Sequence, residues 1–142
     1  MRFDVEIDID RAPEDVFAVL TDIPRLPEWQ SSALSAQAEG APGVGMRIRE
    51  RRRFMGREFQ VVHEVTAYDP PHRFEIRSVE GPLPLTVSHV LEPSGGGTHL
   101  EVVGDAKPKG MLRFAAGAAA KGAEQEFRRD FERLKELLES PR

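Results

Sequence analysis

The chain has 142 residues, of which 39% are hydrophobic and 31% charged, a composition typical of one soluble globular domain. The net charge of −4 argues against nucleic acid as a partner, and the absence of cysteine excludes disulfides, thiol nucleophiles and thiolate metal sites. Apolar runs fall well short of the roughly 20 residues that a membrane-spanning helix needs, and the N-terminus lacks the apolar core of a signal peptide. We therefore expect a cytoplasmic protein with no integral membrane association.

The N-terminal segment predicts one strand followed by two helices. Apolar and charged residues alternate over residues 2–10, which indicates a strand with one buried face. Pro13 then suits the first turn of a helix, and apolar residues recur at helical spacing as far as residue 23. Two further prolines leave room for only a short second helix before Trp29.

Six more segments predict strands in hairpin succession, because turn residues separate their runs of alternating polarity. They are residues 32–40, 46–55, 57–67, 73–81, 83–93 and 98–106. From about Met111 the spacing of apolar residues changes to three and four, which predicts an amphipathic C-terminal helix of roughly 20 to 28 residues. Only this helix is long enough to cover the apolar face of the sheet, so we expect an α+β fold.

The stretch MRIRERRRF contains five arginines, and strand parity separates them. Four share the face predicted to meet solvent: Arg47, Arg49, Arg51 and Arg53. The opposite, predicted buried face carries Ile48, Glu50, Arg52 and Phe54. A solvated face is the ordinary interpretation of the four, since no aromatic residues interleave with them as in a nucleic-acid site. Buried charges need partners or a wet cavity, so we expect Glu50 and Arg52 to pair with each other on a cavity wall.

Parity on the following strands enlarges the predicted buried face. It adds Phe59, Val61, His63, Ile76, Ser78, Val87 and His89. A mostly apolar wall with a few polar points is typical of small-molecule pockets. His63 and His89 are candidates for a general acid and base, with Arg52 to stabilise an enolate oxygen, although buried histidines are often only hydrogen-bonded. With Glu50 the histidines could also form a metal site, but no short ligand spacing supports one, so we expect no metal and no cofactor.

Five segments occur in a fixed order along the chain: IDIDRAPEDVFAVLTDIPRLPEWQ, GVGMRI, VTAYDPPHRFEIRS, EPSGGGTHLEV and FERLKELLES. Together they resemble the START-like helix-grip superfamily, and within it the polyketide cyclase/dehydrase-like (SRPBCC) proteins. The resemblance covers essentially the whole chain and implies a single domain over residues 1–142. It implies a seven-stranded antiparallel sheet curved around the long C-terminal helix, with two short helices after the first strand and a deep cavity.

Members of this superfamily hold lipids, quinones, plant hormones or aromatic polyketides in the cavity, and some close and dehydrate polyketide rings with an inward arginine. The matching strand here, REFQVVHEV, has Phe59, Val61, His63 and Val65 at its inward positions and no arginine among them, so Arg52 on the neighbouring strand is the possible substitute. The resemblance places Trp29 at the cavity mouth, whereas a lone tryptophan is more usually a core or lid residue. The small residues 115–123 would leave room for a ligand or let helix and sheet pack closely. The predicted ligand-binding residues are Trp29, Ile48, Glu50, Arg52, Phe54, Phe59, Val61, His63, Ile76, Ser78, Val87, His89 and Phe114.

Three functions are open at this point. The first, which we favour because no convincing catalytic set is present, is binding of a hydrophobic small molecule such as a lipid, a quinone or an aromatic polyketide-like compound. The second is a polyketide cyclase, aromatase or dehydratase that uses Arg52 with His63 or His89. The third is a module that binds a partner protein through the exposed arginines. We expect a monomer or weak homodimer, because an unpaired row of arginines is costly to desolvate at an interface.

Overall fold

The computed structural model of the protein describes residues 1–54, 56–107 and 116–141, with side chains in the last range from residue 121 onward. The strands are β1 Arg2–Ile9, β2 Ala33–Glu39, β3 Arg47–Phe54, β4 Arg57–Asp69, β5 Arg73–Glu80, β6 Leu85–Ser94 and β7 Gly97–Ala106. The helices are α1 Pro13–Leu20, a 3-10 helix Ile23–Glu28 and α2 Ala116–Glu139. This element order confirms the predicted α+β fold, while the predicted start of the last helix near Met111 lies outside the described residues.

All seven strands form one antiparallel sheet in the order β1-β7-β6-β5-β4-β3-β2. β1 and β2 are thus the two edges of the sheet, and α1 and the 3-10 helix carry the chain from one edge to the other. α1 begins at Pro13 and has Glu14 and Asp15 in its first turn, where the helix dipole favours carboxylates. Its apolar side packs into the core through Val16, Phe17 and Leu20.

The strand register places the predicted inward residues on one face of the sheet. Residues directly opposite each other in antiparallel strands share a face. His63 is opposite both Ile48 and Ser78, and Ile76 is opposite Val87. The face assignment that parity predicted for β3 to β6 is therefore confirmed.

The hydrophobic core fills one end of the space between the sheet and the helices. Ile9, Leu100 and Leu134 of α2 are at most 1% exposed there, and burial of each such side chain stabilises the fold by about 1.5–3 kcal/mol. At the other end of the sheet Phe3 and Gly104, which are opposite each other in β1 and β7, line a cavity. The packed end holds sheet and helix together and leaves the other end available for a ligand. Within the described ranges, no helix has the length and apolar character needed to cross a bilayer.

Candidate functional site

A cavity of about 280 Å³ lies between the inner face of the sheet and α2. Most of the predicted ligand-binding residues lie on its wall: Trp29, Ile48, Glu50, Arg52, Phe54, Phe59, Val61, His63, Ile76, Val87 and His89. The wall is largely apolar, with polar side chains concentrated in a few places. That these residues contact a ligand stays a prediction.

Two predicted residues stand apart from this group, for different reasons. Ser78 shares the inward face of the sheet with His63, but it is not on the cavity wall. Its hydroxyl oxygen accepts a hydrogen bond of 2.8 Å from the backbone N–H of Leu85, so the side chain is committed to the connection between β5 and β6. Phe114 lies outside the described residues. Of the small-residue stretch 115–123, Ala123 lies on the wall.

The largest group of polar side chains on the wall surrounds Arg52, and we call it the Arg52 cluster. It consists of Gln30, Ser32, Glu50, Arg52 and His63. Nε of Arg52 donates to Oε1 of Glu50 at 2.5 Å, and Nη1 donates to the hydroxyl of Ser32 at 2.6 Å. Nη2 donates to the side-chain oxygen of Gln30. The expected pairing of Glu50 with Arg52 is confirmed, and each of the three guanidinium nitrogens has a protein acceptor.

Glu50 connects Arg52 to His63. Its side chain is almost fully buried, and Oε2 lies 3.3 Å from Nε2 of His63. Burial by itself raises the pKa of the Glu50 carboxyl, but the hydrogen bond from His63 and the charge of Arg52 outweigh burial, so the pKa lies below its ordinary value. Glu50 is therefore ionised at neutral pH and accepts a hydrogen bond from Nε2–H of His63. Nδ1 of His63 is buried and has no hydrogen-bond partner among the described residues.

His89 has a separate partner. Its Nδ1–H donates to the backbone carbonyl of Phe74 at 2.9 Å, and the two rings stack with centroids 5.5 Å apart. Burial lowers the pKa of His89 to about 4, although the carbonyl of Phe74 favours the protonated form. His89 is thus neutral at pH 7, with its lone pair on Nε2. The two histidines are not bonded to each other, and across the described side chains no group of three or more His, Cys, Asp or Glu is arranged to hold a metal ion.

Trp29 occupies a deeper position than the resemblance implied. It is 1% exposed and packs against Phe131 of α2, with ring centroids 5.2 Å apart. A side chain at the cavity mouth would meet solvent, so Trp29 is an inner-wall residue. Its indole N–H is buried without a hydrogen-bond partner in the part of the chain that the structure describes.

Gln30 and Ser32 are cavity residues that the sequence did not predict. They follow the 3-10 helix, and the register of β2 against β3 shifts between Ala33 and Ser35, so strand parity cannot be extended back to them. The available signal was the polar run QSS, which directly follows the buried Trp29.

Two carboxyl groups of α2 on the cavity wall were also missed. Glu126 and Asp130 are one helical turn apart, and the hydroxyl of Ser31 lies 2.7 Å from a Glu126 oxygen and 3.1 Å from an Asp130 oxygen. Burial raises the pKa of Asp130 and outweighs the hydrogen bonds from Ser31, which favour the ionised form. These residues tie the segment after the 3-10 helix to α2.

The arginines on the outer face of β3 are partly neutralised by neighbouring carboxylates. Nε of Arg49 lies 2.8 Å from Glu39, and an Nη of Arg53 lies 3.6 Å from Glu58. With two of the four arginines paired, this surface is less suited to recognising an acidic partner protein than a fully unpaired row would be. The cavity is therefore the stronger candidate site.

One family of known proteins matches almost the whole chain. Its model, described as polyketide cyclase / dehydrase and lipid transport, matches residues 1–139. The chain belongs to this family. Among proteins with curated descriptions, none matches the chain.

Solved structures of this family's fold are similar over nearly the full chain. The protein TTHA0849 from Thermus thermophilus has a TM-score of 0.84 and 18% identity, with 97% of each chain covered. A protein from Rhodobacter sphaeroides has a TM-score of 0.72 and 25% identity, with 96% of this chain and 90% of that chain covered. The di-domain ARO/CYC StfQ from the steffimycin biosynthetic pathway has a TM-score of 0.80 and 14% identity, with 97% of this chain and 50% of StfQ covered. These likenesses confirm the helix-grip fold.

In this chain no arginine of β4 lies on the cavity wall, because Arg57 at the start of the strand is exposed and outside the cavity. The inward residues of β4 on the cavity wall are Phe59, Val61 and His63. Arg52 of β3 is directly opposite Phe59 and lies on the same wall. Its three guanidinium nitrogens already donate to Glu50, Ser32 and Gln30. The arrangement places an arginine–glutamate pair and a buried imidazole on a largely apolar cavity wall.

Proposed function

We propose that this protein binds a hydrophobic small molecule, such as a lipid, a quinone or an aromatic polyketide-like compound, in the cavity between the sheet and α2. The observation that carries the proposal is the contrast on the cavity wall, where apolar side chains predominate and the Arg52 cluster supplies fixed polar groups. Small-molecule sites combine these features, because apolar contact supplies affinity and a few polar groups set orientation. The family description, which includes lipid transport, supports the same function.

The size of the cavity favours a compact ligand. Its volume of about 280 Å³ is near the lower end of the range for ligand pockets, which is roughly 300–1,000 Å³. Two or three fused rings, or a short branched chain, match this volume better than a long acyl chain does.

Native mass spectrometry of freshly purified protein tests the proposal most directly. A stoichiometric adduct, released by organic extraction and identified by its mass, would establish binding and name the chemical class. The same spectrum reports the oligomeric state, for which we propose a monomer or weak homodimer. A protein that is free of adducts and gains no thermal stability from a panel of hydrophobic compounds would contradict the binding function.

A cavity-filling variant separates the cavity from other apolar surfaces. Val87 lies on the cavity wall, so Val87→Phe places a ring in the space that a ligand would occupy. Val79 is 37% exposed and is absent from the wall, so Val79→Phe adds the same ring elsewhere. We expect Val87→Phe to weaken ligand binding at least tenfold in calorimetric titration and Val79→Phe to leave it unchanged. Equal affinities in both variants would place the ligand outside this cavity.

A second candidate, a cyclase, aromatase or dehydratase of polyketide type, is supported by the contact between Glu50 and His63. A neutral imidazole oriented by an ionised carboxylate can accept a proton at Nδ1, and enolisation of a β-keto compound needs such a base. Arg52 adds positive charge near a developing enolate oxygen. His89 is a poor candidate for this base, because its pKa of about 4 makes it weakly basic at neutral pH.

Incubation with a short poly-β-ketone thioester tests the second candidate. Formation of a cyclised or dehydrated product, followed by mass and absorbance, would favour the enzyme. Recovery of the unchanged compound from a protein that demonstrably binds it would leave binding as the function.

A further inference from the structure

The hydrogen-bonding groups on the cavity wall restrict the chemistry of the ligand. We propose, on the basis of the binding function proposed above, that the ligand carries a neutral hydroxyl group, as a phenol or an enol does, and not a carboxylate. Three features of the wall support this proposal. The arginine and the ammonium group on the described part of the wall are engaged by the protein, the wall carries several carboxyl groups, and its histidines each leave one ring nitrogen for a ligand.

The cationic groups on the described wall already have partners. Arg52 donates from all three nitrogens to Glu50, Ser32 and Gln30. The N-terminal ammonium of Met1 donates to the carbonyl of Ala106 at 2.7 Å and lies 4.0 Å from a carboxylate oxygen. A ligand carboxylate would therefore have to compete with an existing acceptor for either cation.

Carboxyl groups of the protein also disfavour an anionic ligand. Glu50, Glu126 and Asp130 all lie on the cavity wall, and Glu50 is buried and ionised. Like charges repel strongly where little water screens them, and a buried anion without a free cation loses its hydration without compensation. An acidic hydrophobe such as a fatty acid is accordingly a poor match for this wall.

The histidines present ring nitrogens that a ligand hydroxyl can bond. The contact with Glu50 occupies Nε2 of His63 and leaves Nδ1, which is buried and has no partner among the described residues. The bond to Phe74 leaves the lone pair of His89 on Nε2. A buried polar atom without a partner is unfavourable, so a ligand O–H that reaches it binds more tightly than a group that cannot donate. A hydroxyl oxygen can also accept from the indole N–H of Trp29, which has no partner among the described residues.

Four ligands with the same two-ring body test this inference. Naphthalene has no polar group, 2-naphthol donates and accepts, 2-methoxynaphthalene only accepts, and 2-naphthoate is an anion at pH 7. Calorimetric titration of the wild-type protein at pH 7 should show 2-naphthol binding about tenfold more tightly than 2-methoxynaphthalene, with 2-naphthoate the weakest of the four.

A matched pair of variants tests the role of His63. His63→Phe removes the buried ring nitrogen Nδ1 from the wall, and His99→Phe removes an exposed histidine that is absent from the wall and contacts Asp8. We expect His63→Phe to reduce the preference for 2-naphthol over 2-methoxynaphthalene to about twofold or less, and His99→Phe to keep it. Circular dichroism establishes that each variant folds. The wild-type series decides the ligand class even where His63→Phe does not fold.

The outcomes distinguish this inference from the binding function. Equal affinities for 2-naphthol and 2-methoxynaphthalene, or tightest binding of 2-naphthoate, would overturn the hydroxyl preference while the binding function stands. A preference for 2-naphthol that survives in folded His63→Phe would overturn the role of Nδ1. Failure of all four ligands to bind would overturn the inference together with the binding function for compounds of this size.

Discussion

The two faces of β3 place the same residue type in opposite physical situations. On the inner face the Arg52 side chain is 23% exposed and bonds to three side chains, including a Glu50 side chain that is 2% exposed. On the outer face the Arg49 side chain is 39% exposed and pairs with Glu39, which is 44% exposed. One strand of eight residues therefore carries both a buried polar cluster and a solvated charged surface.

The difference shows that burial, and not the density of arginines, distinguishes the face that carries the candidate site. Water and salt weaken the attraction between exposed charges, so outer pairs contribute little to stability. On the inner face each charge has lost hydration, so the fold depends on every partner being present. Buried charges offer no general gain in stability over apolar packing. Their presence on a cavity wall is consistent with a role in binding.

The largest expected effect comes from removing the buried carboxylate. Glu50→Gln keeps the shape of the side chain but removes the counter-charge of Arg52, and its single acceptor oxygen cannot serve both Arg52 and His63. We expect the free energy of unfolding, measured by urea denaturation at pH 7, to fall by about 3 kcal/mol, because one charge of a largely buried pair is left uncompensated. Glu39→Gln on the outer face is the matched control and should cause no measurable change. Similar small changes in both variants would mean that the two faces are equally solvated.

Much of the fold could be predicted from local patterns. Alternating polarity identified the seven strands, and the faces of β3 followed because parity depends only on the strand being continuous. β4 extends to Asp69, two residues beyond the predicted end, because its last residues pair with the start of β5. Element ends depend on such pairing and are not encoded in the period of a single strand.

The candidate site was predictable only where it lies on regular strands. Glu50 and Arg52 followed from parity, whereas Gln30 and Ser32 lie in an irregular segment 22 and 20 residues away from Arg52. On α2, Asp130 adjoins Phe131 in sequence, but nothing in the helical pattern placed its carboxyl on the cavity wall. Tertiary packing buries it to 7% exposure, and this packing cannot be derived from the helix by itself.

A second prediction extends the comparison to histidines inside and outside the cavity. The pKa of His89 is lowered by burial from 6.5 to about 4. Between these pH values the unfolded chain binds a proton that the folded chain does not, so lowering the pH destabilises the fold. This group contributes about 3 kcal/mol of stability at pH 7 that is lost by pH 4. His89→Phe should therefore flatten the decline of unfolding free energy between pH 6.5 and 4 in urea denaturation.

His99 provides the control with the opposite sign. Its hydrogen bond with Asp8 raises its pKa, so it contributes stability below the unfolded pKa that is lost as the pH rises through the folded pKa. In His99→Phe the free energy of unfolding should consequently decline more steeply on acidification than in the wild-type protein. If the free energy of unfolding of His89→Phe depends on pH as steeply as that of the wild-type protein, then folded His89 takes up its proton near the ordinary pKa.

The smallest of these effects tests whether geometry matters in addition to charge. Arg52→Lys keeps the positive charge beside Glu50 but replaces a planar fork by a single ammonium, which cannot reproduce the three directed bonds. We expect a loss of about 1–2 kcal/mol in the free energy of unfolding, because Gln30 and Ser32 lose their donor. Arg53→Lys on the outer face should leave the free energy of unfolding unchanged, because Arg53 makes a long, exposed contact of 3.6 Å with Glu58. An unchanged free energy of unfolding in Arg52→Lys would mean that the charge pair with Glu50 alone accounts for the stability that the Arg52 cluster contributes. A measurable loss confined to Arg52 would mean that the guanidinium also positions Gln30 and Ser32 on the cavity wall.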